Sequence, residues 1–253
     1  MISVLFGYVR GMQIGVDEAG RGSVIGPLVV CALMVGGEDR GILSSIGADD
    51  SKKLSKTSRE RIFKEIGSIS ESRGWGVGLV ICSSERVDEG MVRSNLNYLE
   101  SELFGEAINL AVKPNRDSTI LLDACDVDAD RFSRTIAKIL GPKWEGCKIV
   151  SEHGMDSKDV IVGAASIIAK YVRDREIGEI SESLGFDVGS GYPSDPSTRK
   201  AVRELCMGTE PHDCLRWGWA TVNDTWKEIH KRPVPERGAL YEGASQSTLE
   251  DWK

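Results

Sequence analysis

Gly15-Val16-Asp17-Glu18-Ala19-Gly20-Arg21-Gly22 sets two adjacent carboxylates and an arginine among glycines, between two apolar, β-branched runs at residues 12–16 and 27–35. Runs of that composition read as buried strands, and the glycine-rich interruption reads as the turn that joins them into an antiparallel hairpin. The charges therefore stand where a strand ends. Carboxylates withdrawn from water repel one another unless a cation lies between them. Hard divalent cations choose oxygen ligands, and glycine lets a backbone approach a phosphate closely. The octapeptide points to metal-assisted phosphate chemistry, although a bare Asp-Glu before a glycine turn is more often a solvated loop.

Outward from the hairpin, residues 75–82 read as a further strand, 118–123 as a short buried strand ending at Asp123, and 147–150 as another. Helices are predicted over 57–72, with Ser55 as N-cap, and over 92–112, where Leu96, Leu99, Leu103 and Ile108 recur at helical spacing. Further helices fit 129–140, 160–184 and 196–205; the second of these is rich in small residues that let it lie close to a sheet. A polar, tryptophan-containing stretch then runs to Trp226, and beyond Lys231 a Pro-containing segment without apolar periodicity reads as linker and tail. This order of elements predicts an α/β fold, a mixed central sheet flanked by helices.

At 253 residues and 40% hydrophobic content, the chain can bury a substantial core. A formal charge of −7 argues against a uniformly basic nucleic-acid coat, so a polyanion must be met by local patches and metal ions. The six cysteines form no Cys-x-x-Cys pair and no zinc-like spacing with the three histidines, which predicts cytoplasmic thiols. No apolar run approaches bilayer-spanning length, so no membrane partner is expected. A monomer is the default expectation.

The octapeptide resembles the signature near the start of ribonuclease HII, the type 2 ribonucleases H. Asp50-Ser51-Lys52-Lys53-Leu54-Ser55, Leu121-Leu122-Asp123, Glu152-His153 with Asp156, Ala164 to Lys170, and Gly191-Tyr192-Pro193-Ser194-Asp195-Pro196 match the family's other blocks in order, over roughly residues 12–225. The resemblance implies a ribonuclease H-like catalytic domain over 12–195, a C-terminal helical region over 196–231, a linker and tail over 232–253, and an N-terminal extension over 1–11, with Met12 as the expected natural start.

By residue type alone, Asp126, Asp128, Asp130 and Asp159 compete with Asp123 and Asp156 as candidate ligands. The resemblance selects Asp17, Glu18, Asp123 and Asp156 as the ligands of two Mg²⁺ or Mn²⁺ ions. Successive strand residues face opposite ways, so Asp17 is expected to point at the metals and Glu18 to reach them from the side. The implied reaction is hydrolysis of the RNA strand of RNA/DNA hybrids, and incision 5′ of single ribonucleotides in duplex DNA, leaving 3′-hydroxyl and 5′-phosphate ends. The implied roles are ribonucleotide excision repair and RNA primer removal.

The 2′-hydroxyl distinguishes RNA from DNA in a minor groove. The resemblance assigns it to Gly20, Arg21 and Gly22, and assigns to Tyr192 a stacking contact on the following deoxyribose. Lys53, Ser166 and Lys170 are family-matched candidates for substrate contacts; Lys52, Arg173 and Arg199 are further candidates for phosphate contacts, with a solvated charged face as the plainer reading of the last two. A type 3 relative of the family lacks the arginine, so Arg21 favours type 2 activity.

In the tail, Gln246, Leu249 and Trp252 resemble the motif by which replication proteins enter the sliding clamp, proliferating cell nuclear antigen, and such a tail points to an archaeal-type enzyme. The motif is incomplete, because Lys253 stands where a second aromatic would follow. A short helical turn would put Leu249 and Trp252 on one side. The competing readings are a catalytically inactive nucleic-acid or clamp-binding protein of the same fold, and a junction resolvase, which does not need Gly-Arg-Gly or Tyr192.

Overall fold

The computed structural model describes residues 11–48, 54–237 and 245–247. Six strands, β1 (Met12–Ala19), β2 (Leu28–Gly36), β3 (Gly76–Cys82), β4 (Thr119–Asp123), β5 (Lys148–Glu152) and β6 (Ser245–Ser247), form one mixed sheet in the order β5-β4-β1-β2-β3-β6. β1 and β2 are the expected antiparallel hairpin, with Asp17 opposite Cys31 and Ala19 opposite Val29. β4 runs parallel to β1, and β5 parallel to β4, so two strand ends arrive beside the end of β1 at one rim of the sheet.

Strand alternation divides the core into two layers. Cys31, Leu33, Val35, Leu79 and Ile81 face a layer built by α1 (Arg40–Ser45), α2 (Lys56–Arg73) and α6 (Val160–Leu184). Ile14, Val16, Val30, Val80 and Leu122 face the layer of α3 (Ser84–Arg93), α4 (Leu96–Ala111) and α5 (Ala129–Leu140). Fully burying one such aliphatic side chain contributes about 1.5–3 kcal/mol. α6 lies so close to the sheet that a Cβ on Gly15 would stand 2.6 Å from the Val162 nitrogen. That contact fixes the central helix over the end of β1.

α7 (Pro196–Leu205) and α8 (Ala220–His230) build a third apolar cluster, in which Val202, Leu215, Val222 and Trp226 close over Val24 and Ile25. These two residues follow the Gly-Arg-Gly turn after Ser23, so the C-terminal helices pack against the segment that leads from the turn to β2.

The caps agree with residue chemistry. Ser55 accepts from the Ser58 N–H at the start of α2, and Asp159 accepts from the Ile161 and Val162 N–H groups at the start of α6. The continuous helix expected over 92–112 is two helices. Val92 and Arg93 close α3, and Asn95, accepting from the Tyr98 N–H, starts α4. Among the described residues no helix is long and apolar enough to cross a membrane.

Candidate active site

Val16 pairs with Leu122 in the parallel ladder between β1 and β4. Asp17 and Asp123, the next residue of each strand, therefore leave the sheet side by side on the face that carries α6. Asp156 lies in the short 3-10 turn Met155–Ser157 that leads into α6. The Met155 N–H donates to Asp123 Oδ1 at 3.1 Å, which ties this turn to the end of β4. One carboxylate oxygen from each of Asp17, Asp123 and Asp156 lies within 4.8 Å of the others.

Glu18 projects to the other side of β1 and is not in this trio, yet it is close enough to Asp123 for the two charges to repel. Its Oε2 is buried and has no hydrogen-bond partner among the described residues. Burial raises Asp17 well above the usual carboxylate range, with repulsion from Glu18 and Asp123 adding to it; a hydrogen bond from Ser166 on α6 and one from the Glu18 N–H oppose the rise. Glu18 is pushed up to about 7, mainly by burial and then by Asp123, against a hydrogen bond with Asp17 and the attraction of Arg21. Three converging carboxylates and an orphaned fourth oxygen, with Asp17, Glu18 and Asp123 repelling one another, are a donor set suited to hard divalent cations.

Three of the four neighbouring acids that compete by residue type have other occupations, and the fourth, Asp130, is exposed on the first turn of α5. Asp128 caps α5, Asp159 caps α6 and also meets Arg40 at 2.6 Å, and Asp126 pairs with Arg131. Acids already committed to N–H groups and guanidinium ions are poorly placed to serve as ligands. The structure thus separates Asp123 and Asp156 from their neighbours where residue type alone does not.

Beyond Asp17 the chain turns through Gly20, whose φ of +91° places it in the left-handed region, where a Cβ would stand 2.6 Å from the Pro27 carbonyl oxygen. Arg21 is partly exposed, but its guanidinium turns towards α4. Its guanidinium pairs with the fully buried Glu100 and donates to Asn97 Oδ1 at 2.8 Å, both on α4. Gly22 is exposed, and a Cβ there would meet nothing within 4 Å. What the turn offers to the outside is main chain at Gly22, with room for another backbone to approach.

The Gly191-Tyr192-Pro193 segment is bonded to the same turn, because the Gly191 carbonyl accepts from the Val24 and Ile25 N–H groups at 2.8 and 3.2 Å. Arg173 on α6 lies beneath both. It is 1% exposed, stands 4.4 Å from the centre of the Tyr192 ring and donates to the Ser190 carbonyl at 2.5 Å. The solvated charged face open to Arg173 in the sequence is therefore excluded: its guanidinium backs the tyrosine ring. Lys170, one turn earlier, pairs with Asp174 at 3.2 Å and lies 5.8 Å from the same ring. Arg199 is exposed and donates to the Pro193 and Ser194 carbonyls at 2.9 and 3.2 Å, bracing the Tyr-Pro turn.

Ser166 is brought to Asp17, while Lys52 and Lys53 lie outside the described residues. Gln246 lies in β6, paired with Val80 of β3, and Leu249 and Trp252 also lie outside the described residues. No motif in the sequence marks Arg216. It is fully buried and donates to the carbonyls of Gly20, Arg21 and Gly26. Its only signal is its place between two apolar residues, Leu215 and Trp217, where a surface arginine is not expected.

The family model described as ribonuclease HII matches residues 14–222. The ribonuclease HII of Pyrococcus furiosus is 44% identical over 218 residues, which is 86% of this chain and 89% of that relative. The crystal structure of ribonuclease H2 from Pyrococcus horikoshii OT3 is similar with a TM-score of 0.76 at 35% identity, covering 87% of this chain and 100% of that one. A second similar structure is the PCNA:RNase HII complex from Archaeoglobus fulgidus, with a TM-score of 0.72 at 37% identity, covering 84% of this chain and 96% of that one.

Proposed function

The chain belongs to the ribonuclease HII family, and from that premise we propose that Asp17, Glu18, Asp123 and Asp156 hold the divalent cations with which it cleaves ribonucleotides. It is a metal-dependent endoribonuclease. It hydrolyses the RNA strand of RNA/DNA hybrids and cuts 5′ of single ribonucleotides in duplex DNA, leaving 3′-hydroxyl and 5′-phosphate ends, which suits it to ribonucleotide excision repair and primer removal. The observation that carries the assignment is the convergence of Asp17, Asp123 and Asp156 within 4.8 Å, next to the orphaned Glu18 oxygen.

Two Mg²⁺ or Mn²⁺ ions bound there would supply an activated water and counter-charge for the leaving 3′ oxygen. The protein's part is to hold the carboxylates at fixed spacing. Ladder register sets Asp17 against Asp123, the Met155 N–H sets the turn of Asp156, and the Ser166 hydroxyl orients Asp17. Ser166 also lies close enough to the site for a contact with substrate.

Recognition is assigned to the Gly20–Gly22 main chain, which reads the 2′-hydroxyl before the scissile phosphate, and to Tyr192, which stacks on the deoxyribose that follows. The hydrogen bonds between Gly191 and Val24–Ile25 support a fixed spacing between the two readers. Lys53 and Lys170 contribute phosphate contacts that carry no sequence information. The tail with Gln246, Leu249 and Trp252 serves as a sliding-clamp ligand, a reading supported by the motif and by the Archaeoglobus fulgidus PCNA:RNase HII complex.

The deciding assay incubates the protein with Mg²⁺ and a DNA duplex containing one ribonucleotide. A single cut 5′ of that ribonucleotide, lost on Asp17→Asn while duplex binding persists, is the expected result. Undiminished Mg²⁺-dependent cleavage by the Asn variant would remove Asp17 from the site.

A further inference from the structure

The Gly20–Gly22 turn is gripped by buried charge from two sides. From the segment between α7 and α8, Arg216 donates through Nη2 to the Gly20 carbonyl at 2.7 Å, through Nη1 to the Arg21 carbonyl at 2.8 Å and through Nε to the Gly26 carbonyl at 3.2 Å. From α4, the fully buried Glu100 pairs with the Arg21 guanidinium, and Asn97 accepts from it. Burying an ion costs several kcal/mol unless its surroundings compensate. Arg216 meets carbonyl dipoles and the Trp219 ring, 5.0 Å from its guanidinium carbon. A fold that only needed a turn here could use apolar packing at both positions.

The grip has a geometric consequence. A trans peptide is planar, with its C=O and N–H pointing in opposite directions. Because Arg216 draws the carbonyls of Gly20 and Arg21 inward, the N–H groups of Arg21 and Gly22 point away from Arg216, and Gly22 itself is exposed with open space where a Cβ would stand. Glu100 blocks the remaining freedom by holding the Arg21 side chain against α4. We propose that Arg216 and Glu100 are positioning residues for ribonucleotide recognition, fixing the peptide planes with which the turn meets the 2′-hydroxyl. The proposal rests on the recognition role given above to Gly20–Gly22.

The test compares wild type with Arg216→Lys and Glu100→Gln. Lysine keeps the charge but not the fork that reaches three carbonyls, and glutamine removes the ion pair at nearly constant shape. Two quantities are measured in one Mg²⁺ buffer: kcat/KM for a DNA duplex with a single ribonucleotide, and Kd for the same duplex made wholly of DNA. The expected result is a fall of about ten- to hundredfold in kcat/KM, smaller than the roughly hundred- to thousandfold cost of deleting a preorganised donor because the N–H groups remain, with the all-DNA Kd unchanged. Wild-type kcat/KM in both variants overturns the proposal, and so does a parallel loss of both quantities, which marks general disruption of the fold. If thermal melting shows that Arg216→Lys does not fold, Glu100→Gln alone decides. A wild-type protein that does not cut at the ribonucleotide instead overturns the function on which the proposal rests.

Discussion

Asp17 and Asp123 leave neighbouring parallel strands one residue beyond the Val16–Leu122 pair, so the ladder itself brings their carboxylates together. Their repulsion is built into the sheet rather than into a mobile loop. Removing one charge should therefore move activity and stability in opposite directions. Asp17→Asn or Asp123→Asn is expected to lower Mg²⁺-dependent cleavage at least about a hundredfold. The same change should stabilise the metal-free protein by about 1–2 kcal/mol, or roughly 2–8 °C in melting temperature. Calorimetry without divalent ions, beside a cleavage assay, checks both signs.

Glu18 gives the pH dependence. Its carboxyl is raised from 4.5 to about 7 in the fold, so between those values the folded state binds a proton that the unfolded chain releases. The stability from this group is fully present below the unfolded value and is lost as pH rises through the folded one. A bound cation displaces the proton, so Mg²⁺ should stabilise the fold increasingly from about pH 5.5 to pH 8, and cleavage should rise over the same window. Melting curves with and without Mg²⁺ across that range measure it. A Mg²⁺-induced shift that stays constant or shrinks with pH contradicts this account.

Tyr192 stands over a buried cation that is hydrogen-bonded to the Ser190 carbonyl. Arg173 is buried, and its guanidinium lies 4.4 Å from the ring centre, so the ring is supported on its inner side. Aromatic stacking on a base is worth about 1–3 kcal/mol, and packing on a sugar face is expected near the lower end of that range. Tyr192→Ala should lower cleavage at a single embedded ribonucleotide about tenfold or more, while Tyr192→Phe, which keeps the ring, should stay within about threefold of wild type. Steady-state rates on that substrate decide it, and a fully active alanine variant would dismiss the stacking role.

The expected α/β fold, a mixed sheet flanked by helices, was legible where local chemistry and tertiary need coincide. The hairpin of β1 and β2 shows its β-branched runs openly, and Ser55 marks its helix by a side-chain bond that the structure contains. The break between α3 and α4 was hidden because Val92, apolar in sequence, is 90% exposed at a helix end, while the Ser84–Arg93 segment is polar overall and buries only Val87 of its apolar side chains. α8 shows no marker in the residue pattern and falls within the expected C-terminal helical region only by resemblance; Trp226 and His230 stack at 3.8 Å along it. At the site, Asp123 and Asp156 could be chosen over adjacent acids only by resemblance, because what joins them is the Met155 N–H bond across 32 residues. Arg216 reaches its carbonyls across 190 to 196 residues, a relation that no local pattern encodes.

The tail supplies a prediction in which binding and cutting separate. β6 lies at the far edge of the sheet from β5, with β2 and β3 between it and β1, so Gln246 sits on the edge away from the carboxylates. Ending the chain at Gly243 removes β6 and the whole clamp-like motif but leaves β1, β4, α6 and both recognition elements in place. The cleavage rate on a ribonucleotide-containing duplex should then stay within about twofold of the full-length value, since well-separated sites act nearly independently. Affinity for the sliding clamp should fall at least tenfold, about 1.4 kcal/mol, because the motif's apolar anchors are gone. Calorimetric titration of the clamp into each protein, beside a cleavage assay without the clamp, separates the two effects. Equal clamp affinity in both proteins would place the contact elsewhere on the chain, and a matching loss of basal cleavage would show that the β3 edge communicates with the site.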